Sequence, residues 1–167
     1  PAKARVDGRR SKIAKTKTEQ AVASKGRIDK IASGAAAMDN AWVAHCLNQV
    51  KQDNDILVSE SQLALANISL RKPGGFFGTS PSGGLGWGLG AAHGVKLGDP
   101  GRRVFCVVGD GAYMFGNPTP AHFVSAAYDL PVLTIIMNNK MWGSVRKATL
   151  GLYPDGAASS ANQAPLT

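Results

Sequence analysis

The chain has 167 residues, 44% hydrophobic and 18% charged, enough apolar chain to bury a core as one globular domain. No run of 18 apolar residues exists and no charged stretch leads into an apolar one, so neither a membrane-spanning helix nor a secretory signal is expected, and two cysteines, Cys46 and Cys106, are too few for a disulfide framework. The net charge of +8 sits almost wholly in residues 1–30, with ten basic and three acidic residues against nine and eight in the rest, and no aromatic residue interleaves with it, so nucleic acid is not the expected partner.

Residues 1–34 have no strong apolar periodicity and are read as a basic linker or tail ending in a turn at Ser33-Gly34. Apolar residues at 42, 43, 46, 47 and 50 predict a helix capped by Asp39 or Asn40. Ile56–Ser59 reads as a short buried strand, and residues 62–68 as a second helix. Six glycines and two prolines across residues 71–86 mark a long loop. Helical spacing returns over 85–97 among small residues. Val104–Val108, ending at Gly109, is apolar on both faces and suits a central parallel strand. A helix is predicted over 115–128 and another buried strand over 131–137. Residues 143–167 read as polar loop without a closing element. Both cysteines are expected to be buried thiols in a reducing, cytoplasmic setting.

This order predicts an α/β domain over residues 35–167, with a parallel sheet and helices on both faces, unfinished at its C-terminal end. Ligands of such sheets bind beyond the carboxyl ends of the strands. Two strand ends stand out: Val108 runs into Gly109-Asp110-Gly111, and Met137 into Asn138-Asn139. Asp110 offers an anionic oxygen and Asn139 a neutral carbonyl oxygen, a pair suited to Mg²⁺ or Ca²⁺ rather than zinc. Mg²⁺ held by one carboxylate completes its octahedron with phosphate oxygens and water. Gly109 and Gly111 would let the backbone approach a phosphate at the start of the following helix. Residue types alone therefore point to a Mg²⁺-bridged diphosphate.

Gly109-Asp110-Gly111, 26 intervening residues and Asn138-Asn139 resemble the fingerprint of thiamine-diphosphate-dependent enzymes. Gly83–Leu89, Val108–Pro118 and Met137–Arg146 are similar to the acetolactate synthase and benzoylformate decarboxylase branch, and the resemblance covers residues 36–167. It implies the thiamine-diphosphate-binding fold, with Mg²⁺ held by Asp110, Asn139 and the Met141 carbonyl. Gly109, Gly111, Ala112, Trp142 and Gly143 would line the diphosphate, with Ser61 and Gln62 as a looser match there. Gly83, Gly84 and Leu85 would meet the aminopyrimidine, Leu85 as the apolar support on which the cofactor folds. The family's activating glutamate lies on a separate pyrimidine-binding domain. Neither Glu19 nor Glu60 matches its context, so no catalytic residue is assigned in this chain, which is expected to be inactive alone.

The implied partners are the rest of a larger enzyme, a second copy or four copies of it, and a small 2-oxo acid. The expected reaction makes or breaks a carbon–carbon bond next to a carbonyl, as in acetolactate synthase, with a benzoylformate decarboxylase-like lyase as the alternative. A non-catalytic module docking through its basic tail is the alternative from another class. Gly86–Ala91 fits a dinucleotide-binding GxGxxA pattern, but no strand immediately precedes it and no acidic residue follows at the required distance. The three histidines have no zinc spacing.

Overall fold

The computed structural model describes residues 2–78 and 82–160. Parts of the glycine-rich loop (79–81) and of the C-terminal segment read as loop (161–167) lie outside the described residues. The chain divides into two compact units, one running through Lys51 and including Leu63–Ser69, the other comprising Gln52–Gln62 and the chain from Leu70 onward.

In the first unit the basic segment is a helix, α1 (Ala2–Ala32), where the sequence reading gave a linker with no element. Its Ala, Lys, Arg and Gln content favours helix despite Gly8 and Gly26. Burial is confined to Ser24, Ile28 and Ile31, a stripe too short to register as periodicity. The helix stops at the expected turn. Gly34 takes a left-handed φ of 76°, and Ala35 N and Gly34 N donate to the carbonyls of Lys30 and Ile31 at 2.9 and 3.0 Å. Helix α2 (Asn40–Val50) is capped by Asp39, whose carboxylate accepts from Ala41 N and Trp42 N at 2.7 and 3.0 Å. Its buried residues are Ala44 and Leu47, a face rotated away from the predicted stripe. Cys46 is exposed in consequence, correcting the expectation of two buried thiols. The predicted helix over 62–68 is a single 3₁₀ turn, Leu65–Asn67, and Asn67 accepts from Ser24 Oγ at 2.6 Å.

The second unit holds a parallel sheet of four strands: β1 (Ile56–Ser59), β2 (Phe76–Phe77), β3 (Val104–Gly109) and β4 (Val132–Met137), in the order β2-β1-β3-β4. Three strands were expected; β2 was hidden because it is only two residues long and lies inside the glycine-rich loop. The central strands β1 and β3 are buried almost end to end, as their continuous apolar runs require. Strand β4 is an edge, with Leu133 58% and Ile136 42% exposed, rather than the buried strand predicted.

Helix α3 (Gly88–Gly98) starts three residues later than predicted and turns Leu89, Ala92, His93 and Lys96 inward at helical spacing. Leu89 and Ala92 join Ile56, Val58, Val104, Cys106, Val108 and Ala112 in one core cluster. Buried Lys96 donates to the carbonyls of Pro100 and Arg102 at 2.8 and 2.9 Å, closing the turn before β3. The predicted helix over 115–128 is α5 (Pro118–Ala127), starting three residues later than expected; a separate short helix, α4 (Asp110–Phe115), precedes it, parted from it at Gly116-Asn117, where Asn117 is left-handed. The C-terminal segment carries α6 (Gly143–Leu152) and α7 (Ala157–Ser160), not the loop expected. Val145 and Leu152 of α6 remain 47% and 75% exposed, so no buried stripe announced it. No described helix is long and apolar enough to cross a membrane.

Candidate functional site

The sheet order makes the site. From β1 the chain goes to one edge at β2, then crosses back to β3 and β4 on the other side, so the order reverses between β1 and β3. A crevice at the carboxyl ends of strands at such a reversal is where ligands of open α/β sheets bind. Gly109 is paired with Met137, so the two chains leave the sheet side by side, and Asp110 and Asn138-Asn139 emerge at the same edge. Ser59 is paired with Val107, and Glu60 N donates to the Val107 carbonyl at 2.9 Å, which brings residues 59–62 to the same end.

Half-buried Asp110 opens α4. Beyond β4 two side-chain turns bend the backbone: Asn138 Oδ1 accepts from Lys140 N at 2.9 Å and Asn139 Oδ1 from Met141 N at 3.1 Å. Lys140 takes a φ of 59° between them, and Trp142 then forms the N-cap of α6. The Trp142 ring lies on Gly111 so closely that a Cβ there would stand 2.6 Å from it, and one on Gly143 would stand 2.6 Å from Asn139 Nδ2. The two strand ends thus lie side by side, joined by the Gly109–Met137 pairing and by the Trp142 ring on Gly111, with Gly143 against Asn139 and Met141.

The remaining expected residues are held differently. Gly83, with a φ of 65°, and Gly84 have open space around them, and Leu85 is 41% exposed. They lead into Gly86, which is left-handed at φ 86° and would place a Cβ 2.8 Å from Gly116 N. Ser61 lies beyond β1 with its hydroxyl buried and unpartnered among the described residues, while Gln62 is exposed.

Sequence reasoning missed Glu60 and Gly116. The Glu60 carboxylate accepts from Gly86 N through one oxygen and from Gly88 N, at 2.6 Å, through the other. Gly116 gives Gly86 the room to approach. Neither role has a local sequence signal, because each pairs residues at least 26 positions apart.

The donor set fits magnesium. Asp110 supplies a carboxylate, Asn139 Oδ1 retains acceptor capacity beyond its one bond, and the Met141 carbonyl is a third hard oxygen. No group of three His, Cys, Asp or Glu residues that could cage a metal occurs among the described residues. The orphaned Ser61 hydroxyl is a buried polar group of the kind a phosphate oxygen would satisfy.

A cavity of about 510 Å³ opens between α3 and α5, lined by Trp87, His93, Leu97, Pro120 and Val124 among others; it contains neither Asp110 nor Asn139. Burial, then the neighbouring His122, holds the His93 imidazole below its ordinary pKa. His122 is bonded to the Tyr113 hydroxyl at 2.8 Å, and His45 packs against Trp42. Burial, then the Glu60 charge, pushes the Cys106 thiol up to about 12.

The family described as "Thiamine pyrophosphate enzyme, C-terminal TPP binding domain" matches residues 58–165. Benzoylformate decarboxylase of Pseudomonas aeruginosa is 38% identical over 79 residues, 47% of this chain and 14% of that protein. The acetolactate synthase large subunit of Buchnera aphidicola is 37% identical over 79 residues, 47% of this chain and 13% of that protein. Among solved structures, the thiamine diphosphate-dependent 4-hydroxybenzoylformate decarboxylase of Rhodococcus jostii RHA1 superposes with a TM-score of 0.64 at 31% identity, covering 72% of this chain and 23% of that one. The chain therefore spans about an eighth to a quarter of the length of these relatives.

Proposed function

This chain belongs to the thiamine pyrophosphate enzymes as a C-terminal TPP-binding domain, and we propose that it holds the diphosphate end of thiamine diphosphate through Mg²⁺ within a larger enzyme acting on a 2-oxo acid. The observation that carries this reading is the pairing of Gly109 with Met137, which sets Asp110 beside the Asn139–Met141 turn. Asp110, Asn139 and the Met141 carbonyl hold the metal. Gly109, Gly111, Ala112, Trp142, Gly143 and Ser61 face the diphosphate, with Gln62 at its margin. Gly83, Gly84 and Leu85 carry the aminopyrimidine. When bound, the cofactor supplies an electron sink for making or breaking a carbon–carbon bond beside a carbonyl.

The chain's own contribution is position and charge. Glu60 is tied to two backbone N–H groups, and neither it nor Glu19 matches the sequence context of the family's activating glutamate. The activating acid is accordingly assigned to the remainder of the enzyme, with a second copy completing the assembly. Two readings of the reaction remain: acetolactate synthesis, supported by the likeness to acetolactate synthase large subunits, and decarboxylation of an aryl 2-oxo acid, supported by the likeness to two benzoylformate-type decarboxylases. Acetolactate formed from pyruvate by the full enzyme supports the first, and benzaldehyde formed from benzoylformate the second.

Asp110→Ala tests the site. Calorimetric titration of the full enzyme with thiamine diphosphate and Mg²⁺ is expected to lose the Mg²⁺-dependent binding, since the two neutral oxygens left cannot offset a dication beside a diphosphate. Unchanged affinity would overturn the assignment.

A further inference from the structure

We propose that Glu60 is a positioning residue that sets the Gly83–Leu85 segment for the aminopyrimidine side of the cofactor; this rests on the function proposed above. Glu60 sits immediately past β1, and its own N–H is fixed to the Val107 carbonyl of β3, so its backbone is part of the sheet. Its two carboxylate oxygens divide between Gly86 N and Gly88 N, which flank the start of α3. Gly88 leaves room for this grip, since a Cβ there would stand 2.9 Å from Glu60 Oε2 and from Val108 Cγ1. On its other side Gly86 lies against Gly116, at the end of α4. Among the described residues the three before Gly86 have no comparable restraint: a Cβ on Gly83 or Gly84 would meet nothing within 4 Å, and Leu85 is exposed. The course of this segment is therefore set from its downstream end, where a single carboxylate ties it to the rigid centre of the sheet.

The chemistry requires a carboxylate. Two N–H donors need two acceptors, and an ionised carboxylate supplies both. A glutamine presents one acceptor and one NH₂, so one backbone N–H would face another donor. Glu60→Gln preserves shape while releasing Gly86 or Gly88, and the slack passes to Leu85.

The test compares two ligands on the full enzyme, wild type and Glu60→Gln: thiamine diphosphate with Mg²⁺, and inorganic pyrophosphate with Mg²⁺, both followed by calorimetry. Pyrophosphate engages the metal and diphosphate residues but not Gly83–Leu85. The expected result is at least a tenfold loss of thiamine diphosphate affinity, pyrophosphate affinity within twofold of wild type, and faster amide hydrogen exchange at Gly86 and Gly88 with β3 unchanged. Glu60→Asp keeps the charge on a shorter arm, is expected to fall between the two, and serves if the glutamine variant does not fold. Equal losses for both ligands, or unchanged thiamine diphosphate affinity, would overturn the proposal. Wild-type enzyme that binds no thiamine diphosphate would overturn the underlying functional reading, a failure visible before any Glu60 variant is compared.

Discussion

Gly111→Ala separates a site residue from a folding residue. Gly111 lies in the first turn of α4 with ordinary helical backbone, so alanine meets no conformational penalty and brings up to about 1 kcal/mol of helix propensity. Its methyl, however, would stand 2.6 and 2.8 Å from Cε3 and Cζ3 of Trp142, where ordinary contact begins at 3.4 Å. The indole must withdraw by about 0.8 Å, the difference between those two distances. There is little slack to absorb this, because Gly143, the next residue, already abuts the Asn139 amide. The shift therefore reaches the Asn139–Met141 turn. Displacements near 1 Å in positioning groups cost up to about 100-fold in rate; taking the same scale for binding, thiamine diphosphate affinity should fall tenfold to 100-fold, about 1.4 to 2.7 kcal/mol. Thermal melting without cofactor should move by only a few degrees, the scale of about 1 kcal/mol. In a Trp142→Ala background the same substitution should cost nothing further, a coupling that a double-mutant cycle detects. Wild-type affinity in Gly111→Ala with unaltered tryptophan fluorescence would refute the reasoning.

Two further outcomes test the fold. A thiol reagent at pH 8 should label one cysteine per chain quickly, exposed Cys46, while Cys106, with its thiol pushed up to about 12, reacts only after denaturation; two fast thiols would contradict the packing of β3. Asp39 carries a pH signature. Burial raises its carboxyl, but the N–H bonds from Trp42 and Ala41 and the Arg27 guanidinium together outweigh burial and hold it below the ordinary value. A carboxyl lowered in the folded state contributes stability above its unfolded pKa of about 4 and loses it as pH falls through the folded value. Asp39→Ala should thus cost about 1 kcal/mol at pH 6, measured by denaturant unfolding, and the gap to wild type should narrow steadily with acidification below pH 4; a gap independent of pH would sink this account of the cap.

What the sequence disclosed follows a physical pattern. Ile56–Ser59 and Val104–Gly109 were legible because strands buried on both faces must be apolar without interruption. Asp39 was legible because an N-cap acts on N–H groups two and three residues away. Asp110 and Asn139 stand out in the sequence because they follow apolar strands directly, and the pairing of Gly109 with Met137 sets those two strand ends side by side. Elements without a buried stripe stayed hidden: α6 leaves Val145 and Leu152 exposed, β2 is two residues long, and the burial on α1 is confined to Ser24, Ile28 and Ile31. The exposure of Cys46 was misread because the buried face of α2 centres on Ala44 and Leu47, one of them too small to weigh in an apolar pattern.

The deepest omission was Glu60, and its cause is instructive. A carboxylate just past a strand, in a chain resembling enzymes that use a glutamate, invites comparison with that acid; the comparison fails on context and leaves the residue without a role. The structure supplies one that no linear pattern encodes, because the partners of Glu60 are backbone N–H groups 26 and 28 residues away, and backbone groups carry no residue identity. The same holds for Gly86 and Gly116, whose mutual approach is recorded only as two unremarkable glycines. Side chains offered to a metal announce themselves by type, whereas those that hold backbone emerge only when the sheet order is known. In this domain Glu60 leaves β1 beside β3, and the neighbouring pair of strand ends, β3 and β4, carries Asp110 and Asn139. On the proposed function, removing a residue that grips the backbone there, Glu60 above all, should alter thiamine diphosphate binding while leaving Asp110 and Asn139 in place.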